Sequence, residues 1–226
     1  MAARGEAAAV TDGAALPAPV REVVLVPGLW APRFVMAPLA ARLAHAGFRC
    51  RMFGYSGRAQ PLQAHVERLA RFARATGPAH FVGHSLGGLV VLATLERERT
   101  IACGRVLLLG APVRGSLAGR RLARRAPGRW LLGASASLWR EGREARWTRP
   151  EPLGVIAGSL PVGLGRLIAG VPGPSDGVVR LEETEIEGMS ERILLPVSHS
   201  AMLISARVAR QVVAFLSTGR FVREDA

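Results

Sequence analysis

Lysine and asparagine are both missing from this 226-residue sequence. Without lysine there can be no Walker-type phosphate loop, no Schiff-base amine and no Ser-x-x-Lys acylase. All 30 basic residues are therefore arginine, and against 17 acids they leave a formal charge of +13. Lysine and asparagine share A-rich codons, so a GC-rich genome accounts for the arginine, and the basic balance is no nucleic-acid footprint by itself. Aromatic residues are few, at 5%, and they do not interleave with a continuous arginine stripe, so no nucleic-acid partner is expected. Only Cys50 and Cys103 are present, far apart and outside any Cys-x-x-Cys pair; that argues against a metal knuckle or redox motif and predicts two reduced, mostly buried thiols. No apolar run reaches the length of a membrane span, so no transmembrane segment is expected. Glu6 and Asp12 interrupt the N-terminal apolar stretch, which argues against a secretory leader and for a cytoplasmic location.

What is present describes a globular domain. Hydrophobic residues make up 49% of the chain, and a domain of this length buries about 70% of the surface its unfolded chain exposes. Residues 1–20 read as a disordered or extended tail, and 21–226 as one domain. The run Val23 to Val26, stopped by Pro27-Gly28, reads as a buried strand. Further strands are expected over 49–53, 80–82, 106–109, 155–157 and 192–197, with helices over 35–46, 61–75, 86–98 and 201–217. Alternation of strand and helix predicts an α/β fold: a doubly wound, mostly parallel sheet with helices on both faces. In such sheets ligands bind beyond the carboxyl ends of the strands. One stretch stands apart. Residues 114–149 carry ten arginines and Trp130, Trp139 and Trp147, and they read as a small cap or as a solvated helical face.

The chemistry concentrates at Gly83-His84-Ser85-Leu86-Gly87-Gly88. This is G-x-S-x-G placed between a strand and a helix, a nucleophile elbow. A serine at so sharp a turn needs small neighbours, which Gly83 and Gly87 supply, and the helix start aims unpaired N–H groups at its hydroxyl. A serine hydroxyl is a weak nucleophile without a base and a group that orients the base. Of the three aspartates, Asp12 lies in the tail and Asp225 is the penultimate residue, so Asp176 is the candidate acid; Glu182 and Glu183 are weaker substitutes. Of the five histidines, His45 and His65 fall on helices, His80 and His84 on the elbow strand and turn, and His199 follows the last strand. His199 is the candidate base. No metal is expected, because His80 and His84 do not share a helix face. The oxyanion needs two donors: the backbone N–H of Leu86, after the nucleophile, and that of Leu29 in the loop after the first strand, with Trp30 as a pocket wall.

The elbow, Ser175 to Val179 and Ser198-His199-Ser200 together resemble lipase- and esterase-like members of the α/β-hydrolase superfamily. Gly110-Ala111-Pro112-x-x-Gly115-Ser116 resembles the segment after the next strand in the lipase branch, including relatives of the GPI inositol-deacylases. The resemblance spans about residues 21–217. It implies the triad order Ser85, Asp176, His199, no cofactor, and cleavage of a small-molecule or lipid carboxylic ester through an acyl-enzyme. One departure is Pro27-Gly28 where such enzymes often carry His-Gly. A thioesterase or acyltransferase with the same triad, and a non-catalytic binding protein on the same fold, are the competing readings. Segment 114–149 suggests peripheral contact with anionic lipid.

Overall fold

The computed structural model describes residues 20–28, 31–55, 60–124, 126–134, 146–162 and 173–223. Leu29, Trp30, Trp139 and most of the expected N-terminal tail lie outside them.

The central apolar runs form strands because both their faces are covered, while the edge strands are partly exposed. The strands are β1 (Glu22–Val26), β2 (Arg49–Met52), β3 (Ala79–His84), β4 (Cys103–Leu109), β5 (Leu153–Gly158) and β6 (Glu191–Leu195). They form one six-stranded sheet in the order β2-β1-β3-β4-β5-β6, parallel at every pairing. Side-chain alternation divides the core in two. Val24, Val26, Phe81, Val106, Leu108 and Val155 face one cluster; Val23, Leu25, Val82, Leu107, Leu109 and Ile156 face the other.

Two helices cover each face. The helices α2 (Leu62–Thr76) and α3 (Leu86–Arg97) bring Leu69, Ala73, Val90 and Leu95 to the first cluster. On the opposite face, α1 (Ala37–His45) and the C-terminal α6 (Ala206–Thr218) bring Leu39, Leu43, Val208, Val212 and Phe215 to the second. Each such fully buried aliphatic or phenyl group is worth roughly 1.5–3 kcal/mol. Between β4 and β5 lie two short helices, α4 (Leu117–Ala123) and α5 (Ala126–Leu132).

Element boundaries differ from the sequence reading where caps decide them. The helix expected over 201–217 splits into a 3-10 turn, Ala201–Leu203, and α6. The break comes at Ser205, whose hydroxyl accepts from the Val208 N–H at 3.3 Å, as an N-cap serine does. The helix expected from residue 35 likewise begins as a 3-10 turn, Arg33–Met36.

The order of the strands places the site. From β1 the chain runs out to β2, then returns to pair β3 on the other side of β1. That reversal is a topological switch point, which leaves a crevice at the carboxyl ends of the two strands. Gly28 follows β1 there, and Ser85 follows β3.

Candidate active site

Ser85 is the turn between β3 and α3. Its φ is 54° and its ψ is −125°, and among the described residues it is the one non-glycine with positive φ. Such a conformation costs about 1–3 kcal/mol and survives only where the surroundings enforce it. They do so here through β4 and the flanking glycines. The Ser85 N–H donates to the Leu109 carbonyl at 2.9 Å, and the Ser85 carbonyl accepts from the Gly88 N–H at 3.0 Å. A Cβ on Gly87 would strike the carbonyl oxygens of Val26 and Pro27, and one on Gly83 would come within 2.5 Å of the Gly88 Cα. The sequence therefore spends its glycines where β1, β3 and α3 converge. Leu86 opens α3, so its N–H is among the helix donors that have no partner within the helix.

His199 and Asp176 meet beyond the ends of β5 and β6. The His199 Nδ1–H donates to Asp176 Oδ2 at 2.7 Å. Asp176 is 1% exposed and His199 is 9% exposed. The second carboxylate oxygen, Oδ1, accepts from the N–H groups of Val178 at 2.9 Å and Val179 at 2.7 Å. Asp176 therefore forms an Asx-type turn with one oxygen and orients a histidine with the other. The backbones are tied as well, because the His199 N–H donates to the Asp176 carbonyl at 2.9 Å. With Nδ1 engaged, Nε2 is the ring nitrogen of His199 left for chemistry. A Cβ built on Gly110, just past β4, would lie 2.9 Å from Asp176 Oδ2 and 3.2 Å from His199 Nδ1. The pair thus sits over the strand next to that of Ser85.

Glu182 and Glu183 are engaged elsewhere. The exposed Glu182 pairs with Arg180 at 2.7 Å. The buried Glu183 accepts from the N–H of Leu117 at 2.5 Å and that of Arg180 at 2.9 Å, and burial pushes its carboxyl up. It fastens the start of α4 to the loop that carries Asp176.

The remaining histidines stand apart or do other work. His45 is exposed on α1, and His65 is buried edge-on to Tyr55, with ring centres 4.7 Å apart. His80 sits inside β3, where Nδ1 accepts from the Arg105 N–H at 2.8 Å and Nε2 donates to the Val20 carbonyl at 3.1 Å. Burial lowers its pKa to about 4. His84 touches the candidate base itself, with ring centres 4.7 Å apart. Its adjacency to Ser85 was the only sequence signal for that contact. Tyr55 was also missed: its hydroxyl donates to the Pro27 carbonyl at 2.9 Å, at the root of the loop that carries Leu29. As the chain's one tyrosine it carried no pattern.

Of segment 114–149, the start covers the elbow and the end belongs to the body. On α5, Leu132 is buried against Leu86, with Tyr55, Leu89, Leu122 and Ala123 packed beside them, while Trp130 is 66% exposed. Trp147 is core, its indole N–H donating to the Glu151 carbonyl at 2.7 Å. Arg149 is buried and paired with Glu151 at 2.6 Å. The two cysteines are free and half-buried; burial raises them to about 11 for Cys50 and about 12 for Cys103, which makes both poor nucleophiles. Among the described residues, no His, Cys, Asp or Glu cluster could hold a metal, and no helix is long and apolar enough to cross a membrane.

The architecture has close counterparts among solved structures. A lipase of Bacillus licheniformis in its mature form superposes with a TM-score of 0.67 at 17% identity, over 91% of this chain and 95% of that one. A hydrolase of Pseudomonas aeruginosa gives 0.66 at 18%, over 92% of each chain. A thermophilic esterase of Thermogutta terrifontis gives 0.64 at 16%, over 88% of this chain and 90% of that one. No curated protein sequence matches the chain. The model of the alpha/beta hydrolase family matches residues 23–212, a span that takes in β1, the elbow, Asp176, His199 and most of α6, and the chain belongs to that family.

Proposed function

We propose that the protein hydrolyses carboxylic esters through an acyl-enzyme on Ser85. The observation that carries this reading is the strained Ser85 at the switch point, beside a buried Asp176–His199 pair already joined at 2.7 Å. The Ser85 Oγ attacks the ester carbonyl carbon while His199 Nε2 takes the hydroxyl proton. The N–H groups of Leu86 and Leu29 hold the oxyanion. As the carbon–oxygen bond to the alcohol breaks, His199 returns the proton to the leaving oxygen. Water then attacks the acyl-enzyme with the same base, releasing the acid and restoring Ser85. Asp176 keeps His199 in the Nδ1–H tautomer and stabilises the imidazolium that forms. No step calls on a cofactor.

The resemblance to lipases and esterases and the apolar roof of Leu122 and Leu132 above Leu86 favour an acyl chain beneath α4 and α5, with Trp30 as a further wall. Phe34, Trp130, Leu160, Val162 and Ile204 are large apolar side chains left exposed on segments leaving the carboxyl edge of the sheet. With Arg120, Arg121 and Arg124 at the start of segment 114–149 they support peripheral contact with anionic lipid. Binding to anionic vesicles that is unchanged when Arg120, Arg121 and Arg124 become Gln would overturn that contact.

The test of the reaction is a panel of aryl esters of increasing acyl length, wild type beside Ser85→Ala. The variant is expected to lose at least about 10³-fold in kcat/KM, and equal rates would refute the nucleophile. Acyl thioesters belong in the same panel, because turnover of thioesters alone would favour a thioesterase on the same triad.

A further inference from the structure

Two backbone groups flank the ring of the proposed base, and both are tied. The amide N–H of His199 goes to the Asp176 carbonyl at 2.9 Å. Its carbonyl oxygen goes to His84 Nε2 at 3.1 Å. A carbonyl can only accept, so His84 carries its proton on Nε2 and leaves Nδ1 bare. The His84 and His199 rings also pack against each other, 4.7 Å between centres and tilted by 44°. His84 is 6% exposed, and its Nδ1 has no hydrogen-bond partner among the described residues. That nitrogen lies 3.2 Å from where a Cβ on Gly28 would sit, and the same Cβ would lie 3.1 Å from the Ser85 Cβ. His84 is therefore wedged between the loop after β1, the nucleophile and the base.

We infer that His84 is a positioning residue, a neutral donor that fixes the His199 backbone and ring for the proton transfer that the proposed reaction asks of Nε2. This rests on the acyl-transfer reading and adds a residue to it. The elbow position before the nucleophile is free in sequence terms, yet here it joins the turn to a loop 115 residues further on. The requirement for neutrality follows from position. A proton on Nδ1 would place a positive charge beside the ring that must itself become an imidazolium. Burial, followed by the charge on His199, pushes the His84 pKa down to about 3, opposed by its bond to the His199 carbonyl and by Asp176. The ring thus stays a hydrogen-bond donor of fixed tautomer across the working pH range. Among the described residues, Asp176 and His199 are the groups that bring charge to it.

Two measurements test this. His84→Phe keeps a ring but loses the donor, and His84→Gln keeps a donor at nearly the same reach. With a short aryl ester, His84→Phe is expected to lower kcat by about 10²-fold, the cost of a misplaced catalytic group, with KM within about twofold. His84→Gln is expected to recover about tenfold of that loss. A His84→Phe enzyme that keeps its kcat, a loss carried by KM, or equal losses in the two variants would overturn the inference. Independently of folding in either variant, long-range proton–nitrogen spectra of histidine-labelled Ser85→Ala protein should show His84 as the neutral Nε2–H tautomer between about pH 5 and 8. An Nδ1–H tautomer, or titration near the ordinary value, would overturn it. If wild type turns over no ester, the acyl-transfer reading fails while the spectra still decide the state of His84.

Discussion

The floor of the site and its roof are built by different means. In the floor, the candidate reactive groups are held by hydrogen bonds to a strand and to one another. Ser85 is pinned to Leu109 and His199 to Asp176, and both Asp176 carboxylate oxygens are occupied. The roof hangs between β4 and β5 on helices of seven residues each. It is fastened at its start by Glu183 and rests on Leu86 through Leu132. Mutations in the floor should therefore abolish turnover whatever the ester. Mutations in the roof should change which ester is taken.

The strongest break in that contrast is Asp176→Asn, expected to lower kcat about 10³- to 10⁴-fold by presenting the wrong His199 tautomer, measured as initial rates at saturating ester. A loss that varied with acyl length would place Asp176 in the roof's category instead. Next is Gly87→Ala, whose methyl has no space beside the Val26 and Pro27 carbonyls. It should destabilise the fold by about 2–4 kcal/mol, read as a lower urea midpoint. Leu132→Ala should sharpen the comparison: kcat/KM for short esters stays near wild type, while the preferred acyl length increases, with a change of about tenfold between chain lengths. Uniform loss across the panel would contradict a roof that selects.

The smallest expected effect is on pH. His80 and His84 are held neutral in the fold, near 4 and 3, both chiefly by burial, against about 6.5 in the unfolded chain. Below 6.5 the unfolded state binds more protons, so stability falls as pH falls. It continues to fall toward pH 4, where His80 must release the Arg105 N–H. Melting temperatures at pH 5 should lie below those at pH 7; equal values would show that neither ring is held neutral.

Much of the floor could be read from sequence because its signals are local. Val23 to Val26 had to be buried on both sides. The elbow glycines are adjacent to the serine they serve, and Asp176 stood out because Asp12 and Asp225 lie at the chain's ends. What escaped depends on pairs distant in sequence. The contact of His84 with His199, the bond from Tyr55 to Pro27 and the tie from Glu183 to Leu117 each join elements with no shared pattern. Trp147 and Arg149 resembled their arginine-rich neighbours until Glu151 and the Leu95 carbonyl claimed them. Leu29 and Trp30 lie outside the described residues.

The pairing of β4 with β5 has a consequence for how such a chain can diversify. The two strands are parallel neighbours, Val106 beside Leu153 and Leu109 beside Ile156, so the stretch between them leaves at the carboxyl edge of β4 and crosses back to the amino edge of the adjacent strand. Lengthening a closed loop costs little, about 0.6 kcal/mol per doubling, and no other strand need be rethreaded. The roof is in this sense an interchangeable part: under the proposed reaction, exchanging it would change the ester taken while Ser85, Asp176 and His199 stay where they are.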